Sequence, residues 1–231
     1  DVVLRHLPQM RGEPRALGDH RVAGLGDGRA GHEHRAGREA AHAARHVAAV
    51  AGHEADAVLG DALKTYIGAW NRWSVDGDVP EGVHLLGDRI AIGAGCRIEP
   101  GAVIVGPAIL GDGVTVRTGA YIREFVILGA GSLVGAHSEV KGSILLPGAK
   151  APHQNYVGDS VLGRQVNLGA GTILSNVKNV GREVTFRHAD EVVHTGLRKF
   201  GAVLGDGCKT GCNTVLNPGV LLGPGSVTYP N

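Results

Sequence analysis

An aliphatic side chain recurs at every sixth position for ten steps without a break: Ile92, Ile98, Ile104, Leu110, Val116, Ile122, Leu128, Val134, Val140 and Leu146. A helix repeats at about 3.6 residues and an isolated half-buried strand at about 2. A period of six fits short strands joined by tight turns, with one aliphatic per strand pointing inward. The next position is often glycine (Gly93, Gly111, Gly129, Gly135), and the fourth after the aliphatic is often small (Cys96, Ala102, Ala108, Ala120, Ser132, Ser138). Glycine suits corner backbone, and small side chains fit where walls converge. Three sextets make a triangular coil, and coils stack at the interstrand spacing of ~4.8 Å, each burying the inner surface of its neighbour. The expected fold is an all-β parallel β-helix of hexapeptide repeats.

The phase is expected to slip at Pro152, to resume at Val157, Leu162, Leu168 and Leu174, and to return after a long break at Leu204, Thr210, Leu216 and Leu222. Residues 175–200 then form a polar, charged insertion that loops out of the solenoid, a candidate binding loop. The division expected is an Ala/Gly/Arg/His-rich appendage over 1–61, a lead-in over 62–91 anchored by Trp70 and Trp73, and the β-helix over 92–231. The first 61 residues lack Ser, Thr, Asn, Lys, Ile, Phe, Tyr, Trp and Cys altogether. That stretch reads as weakly packed, helical or disordered, and its GC-rich codon preference is consistent with a shifted reading frame. Its histidines, among them His32, His34, His42 and His46, are better explained by compositional bias than by a metal.

A net charge of +1 gives no electrostatic reason to expect nucleic acid or an anionic membrane. No apolar run is long enough to span a bilayer, and Cys96, Cys208 and Cys212 form no CxxC pair, so a reducing cytoplasm is the expected compartment. Charge is concentrated instead at two places where the repeat favours glycine. Arg123 follows Ile122 and Lys141 follows Val140, one coil apart, so the two stack. Like charges ~5 Å apart repel by under ~1 kcal/mol in water and by ~3 kcal/mol at an effective dielectric of about 20. An anionic ligand offsets that cost; so does pairing with Glu124 and Glu139. Glu99 and Arg117, also one coil apart, are expected to form a surface pair of little weight. His153 lies at the expected slip in KAPHQNYVGDS, three residues before Tyr156, and is the best general-base candidate.

At Lys141, KAPHQNYVGDS, VNLGAGTILSN and GLRKFGAVLGDGCKTGCN, the chain resembles the left-handed β-helix acetyltransferase domain of the bifunctional bacterial glucosamine-1-phosphate acetyltransferase/N-acetylglucosamine-1-phosphate uridyltransferase. It resembles the archaeal-type sugar-1-phosphate nucleotidylyltransferases still more closely, over about Gly82 to Pro230. The resemblance implies the left hand of the coil. It also implies a catalytic base at His153 beside Tyr156, a phosphate grip at Arg123 and Lys141, a sugar contact at Asn167 and an asparagine near the acetyl group at Asn176. Ala170, Cys212 and Arg182 fall to acetyl-CoA, the implied co-substrate, and a homotrimer is implied, with acetyl-CoA bound between neighbouring copies. Val177, Cys212, Arg182 and Thr185 depart from the family's residues at their positions, which puts coenzyme affinity and substrate choice in question. No Gly-rich nucleotide-binding signature precedes the repeats, so uridyl transfer is not expected from these residues.

Two other readings share the solenoid. One is a non-catalytic oligomerisation or regulatory β-helix, which needs only the sextets. The other is a metal site of the γ-carbonic anhydrase type, for which His188 and His194 lack the surrounding hexapeptide context.

Overall fold

The computed structural model describes residues 59–188 and 191–230; the appendage reading and its histidines fall on residues 1–58, outside the described residues. The chain winds as a parallel β-solenoid with three walls. The first wall holds seven strands, from His84–Leu86 to Val215–Leu216, and the second holds seven, from Ile90–Ile92 to Val220–Leu222. The third holds four, from Arg97–Ile98 to Lys150–His153, and single bridges from Lys150 to Asn167, Lys209 and Val227 extend it. Nine of the ten periodic aliphatics, Ile92 through Val140, point into one continuous core.

The tenth does not. Leu145 rather than Leu146 faces inward and pairs with Leu128, so one residue is missing between Val140 and the next core position. The slip therefore lies there and not at Pro152. Ile122 pairs with Val140, eighteen residues on, whereas Val140 pairs with Val157 and Val157 with Leu174, seventeen on in each case. Two buried serines occupy the tightened corner. Ser143 Oγ donates to the Lys141 carbonyl at 2.7 Å, which also accepts the Asp159 N–H, and Ser160 Oγ donates to the Gly158 carbonyl at 2.7 Å.

The second wall is buried on both faces. Its outward side chains Ala91, Ile109, Ile127 and Ile144 form a second cluster with Leu63 and Ile67 of helix α1 (Leu59–Ala69) and with Val184 and Phe200 of the insertion. Trp70 and Trp73 pack on the same cluster, so the lead-in is anchored as its aromatics suggest. Helix α1 starts before the compositional break at residue 61 and runs through it. The insertion does not simply loop out. It forms an antiparallel hairpin, Thr185–His188 with Glu191–His194, and lays Val184 and Phe200 on the wall. Each large aliphatic buried there is worth about 1.5–3 kcal/mol, which is why an apolar outer wall recruits a cover. Among the described residues, no such cover lies on the first and third walls.

Glycine serves two different ends. Gly131 has φ +65°, the left-handed geometry of a corner. Gly135 is needed for close approach: a Cβ there would lie 1.6 Å from the Pro152 carbonyl oxygen of the next coil. Gly135→Ala should cost about 3 kcal/mol or more, or block folding, because the obstacle is backbone. Gly223→Ala, whose Cβ would meet nothing nearer than Ser226 Oγ at 4.0 Å, should stay within about 0.5 kcal/mol. Chemical denaturation of the two variants checks the contrast.

Candidate functional site

Because coils stack in register, residues seventeen or eighteen apart form files running along the solenoid. Two adjacent files at the corner between the first and second walls carry the charge. One holds Arg123, Lys141 and Gly158, with Lys141 paired to Gly158 and the Arg123 N–H donating to the Val140 carbonyl at 2.8 Å. The other holds Glu124, Gly142, Asp159 and Asn176; Gly142 N–H donates to the Glu124 carbonyl at 3.1 Å and Asp159 N–H to the Lys141 carbonyl at 3.0 Å. Arg123 and Lys141 thus stack as expected.

Both cations have carboxylate partners. Arg123 Nη1 donates to Glu139 Oε1 at 3.0 Å, its Nε lies 3.7 Å from Glu124, and the guanidinium carbon sits 5.9 Å over the Tyr121 ring. Glu139 holds the Arg123 guanidinium more firmly charged by the hydrogen bond between them. Lys141 Nζ donates to both oxygens of Asp159, at 3.1 and 3.3 Å. Sequence reasoning named Glu124 and Glu139 as partners and passed over Asp159, although it stands in the GD of the quoted motif. Glu99, in turn, takes Arg97 as its close ionic partner at 2.6 Å, and its other oxygen accepts the Thr118 N–H, so the pair expected with Arg117 is not the close one.

Asn176 and Tyr156 complete this corner. Asn176, nearly buried, donates its amide to Asp159 Oδ2 in a short hydrogen bond. The Tyr156 phenol, from the strand Tyr156–Gly158, and the Asn176 amide both lie over Gly158, where a Cβ would meet the phenol oxygen at 2.6 Å and the amide nitrogen at 2.8 Å. Burial pushes the Tyr156 phenol up from its usual value, aided by the charges of Glu139 and Asp159 and opposed by Asn176 and Arg123. It therefore remains a donor throughout the neutral range.

His153 stands elsewhere. It ends the strand Lys150–His153 of the third wall, paired with Ala136, and its ring is exposed. Gly171 N–H donates to the His153 carbonyl and Asn213 N–H to the Ala170 carbonyl, which places Ala170 and then Cys212 below His153 in one file. The neighbouring file on that wall is Pro152, Gly169 and Gly211, almost without side chains, and beyond it run Lys150, Asn167 and Lys209. A bare furrow therefore leads to His153, edged by a polar file containing Asn167. The structure brings Arg123, Lys141, Tyr156 and Asn176 together at one end of the first wall, and His153, Ala170 and Cys212 at the other. Arg182 is exposed in the insertion. His194, in the same insertion, pairs through Nδ1 with Glu183. Among the described residues there is no cluster of three or more side chains able to hold a metal.

Residues 104–198 match the family of the GMPPB C-terminal domain. A bifunctional sugar-1-phosphate nucleotidylyltransferase/acetyltransferase of Sulfurisphaera tokodaii is 35% identical over 168 residues, covering 69% of this chain and 42% of its own. The solenoid fits the left-handed β-helix acetyltransferase domain of such bifunctional proteins. Bifunctional GlmU proteins of Methanococcus vannielii (43% identical, 48% of this chain, 27% of its own) and Methanocaldococcus jannaschii (35%, 68% and 42%) are further relatives. The chain thus spans about two-fifths or less of the length of these relatives. The acetyltransferase domain of PglB from Neisseria gonorrhoeae overlaps 57% of the chain and 50% of its own at 16% identity and a TM-score of 0.27, a likeness too remote to carry weight.

The three thiols of this β-helix differ in their surroundings. Burial pushes Cys96 and Cys208 up from the usual thiol range, while Cys212 is exposed. Titration of the native protein with a disulfide reagent at pH 8 should show one fast thiol, lost in Cys212→Ser, and three after denaturation.

Proposed function

We propose that the chain is an acetyl-CoA-dependent N-acetyltransferase acting on an amino-sugar 1-phosphate, with glucosamine 1-phosphate the foremost candidate. His153 takes a proton from the amine as its nitrogen attacks the thioester carbonyl. The tetrahedral intermediate collapses with loss of the coenzyme thiolate, which leaves as the thiol on receiving a proton. Arg123 and Lys141 grip the phosphate, Tyr156 donates from its phenol, and Asn167 contacts the sugar. The furrow beside Ala170 and Cys212 suits the narrow arm of acetyl-CoA, and Arg182 is the further coenzyme contact.

One observation carries this reading and extends it: the two halves of the site stand at opposite ends of a wall. From His153 to Gly158 is five residues with a corner at Gln154 (φ +49°), so at most about 15 Å, and Lys141 reaches onward to Asp159 rather than back. In an amino-sugar 1-phosphate the amine and phosphate sit on adjacent carbons, which favours a site completed by a second copy over one held whole by a single chain. A neighbouring copy supplies one half, and the homotrimer gives each copy such a neighbour. The open first wall suits the contact, with Tyr121, Ile173 and Val215 exposed in one file. Among the described residues no helix is long and apolar enough to cross a membrane.

The second reading, a non-catalytic oligomerisation β-helix, is favoured by the carboxylate already paired with each cation. A thiol-release assay separates the two. Wild type should release coenzyme A only with an amino-sugar phosphate, and His153→Ala should lose about 10²–10⁴-fold in kcat. Equal rates remove the base assignment; no turnover with glucosamine or galactosamine 1-phosphate favours the structural module. Lys141→Ala should raise the sugar-phosphate KM by about tenfold or more.

A further inference from the structure

We infer that Asp159 is the positioning residue of the anion corner: it holds the Lys141 ammonium and fixes the Asn176 amide with its nitrogen turned to the carboxylate. This rests on the amino-sugar phosphate reading for the ligand's identity, but the placement stands on contacts within the chain. Asp159 is held at the corner with φ +45°, a conformation that aspartate tolerates and most side chains avoid. Its backbone N–H donates to the Lys141 carbonyl at 3.0 Å, and its carbonyl accepts from Gly201 N–H at 2.8 Å, so main-chain bonds to the coils on both sides fix its position.

The carboxylate accepts from two directions at once. Lys141 Nζ approaches both oxygens, and Asn176 Nδ2 approaches Oδ2. An ionised carboxylate only accepts, so the atom of Asn176 that faces it must be nitrogen. The Tyr156 phenol oxygen lies beside the same amide nitrogen over Gly158. With its nitrogen held by the carboxylate, the amide turns Oδ1 away from Asp159, where a donor such as a sugar hydroxyl or an amine can meet it.

The polarity of the corner thus depends on one carboxylate. Asparagine at 159 keeps the shape but offers one acceptor oxygen in place of two and adds an N–H pair, so Lys141 and Asn176 can no longer both be held. A carboxylate that merely competed with phosphate for Lys141 would have the opposite consequence: its removal would tighten anion binding.

The test compares wild type, Asp159→Asn and the exchanged pair Asp159→Asn/Asn176→Asp in the assembled protein, with calorimetric titration of inorganic phosphate and of glucosamine 1-phosphate. Asp159→Asn should weaken both by about tenfold, the loss expected for a disturbed charge-assisted bond. The exchanged pair, which restores one carboxylate and one amide, should recover part of it. In steady-state kinetics Asp159→Asn should raise the sugar-phosphate KM about tenfold and leave the acetyl-CoA KM within about twofold, because the coenzyme furrow lies at the other end of the wall. Unchanged or tighter binding of phosphate by Asp159→Asn overturns the inference, as does an equal rise in both KM values. Wild type that binds inorganic phosphate but no amino-sugar phosphate defeats the functional reading alone; the phosphate arm still decides the role of Asp159.

Discussion

The in-register stacking of parallel coils is the constraint on which everything else depends. Each coil donates its backbone N–H groups to the carbonyls of the next, and this ladder converts distance along the chain into position in a file. Lys141 lies over Gly158 because Val140 pairs with Val157, and Ala170 follows His153 because Gly171 N–H bonds the His153 carbonyl. No helix or long loop is needed to bring these groups together. Backbone carries the placement, so side chains at the corners are free to carry chemistry.

The same ladder explains why the site is divided. A strand alternates its faces, and corner positions at either end of a wall are separated by the wall's full width. One end collects Arg123, Lys141, Asp159 and Asn176; the other collects His153, Ala170 and Cys212. Cover on the second wall by α1, Val184 and Phe200 leaves the first wall as a contact surface, and contact there is what can close the gap between the halves. Charge balance follows a similar economy. Arg123 takes Glu139 and Lys141 takes Asp159, so stacked cations persist without a ligand, and the acidic partners also fix where the cations point.

Much of this was legible in the residues. The sextets specified the solenoid because inward aliphatics at Ile92 through Val140 obey one geometric rule, and the stacking of Arg123 on Lys141 followed from their spacing. The slip was misplaced because two adjacent leucines, Leu145 and Leu146, satisfy an apolar pattern equally well; only the buried serines of the shortened corner distinguish them. The insertion read as a loop because its polar composition outweighs Val184 and Phe200, whose burial depends on an outer wall that a period of six does not describe. Asp159 was missed for a related reason. A count of eighteen from Lys141 lands on Asp159, but the shortened coil puts Gly158 over Lys141, and Asp159 reaches the ammonium from one position beyond that file. Candidate residues could be named singly, but their division into two ends of a wall needed the register.

Subunit complementation tests that division most directly. Chains carrying His153→Ala, lowered in kcat, and chains carrying Lys141→Ala, raised in KM, are to be co-expressed and the mixed assemblies assayed for acetyl transfer at glucosamine 1-phosphate concentrations well below the KM of the Lys141→Ala parent. If the halves come from different copies, random mixing rebuilds intact sites at about one interface in four, and about a quarter of the wild-type rate should return. If a single chain holds the whole site, no mixture restores one, and a rate no greater than that of the two parents would contradict the account.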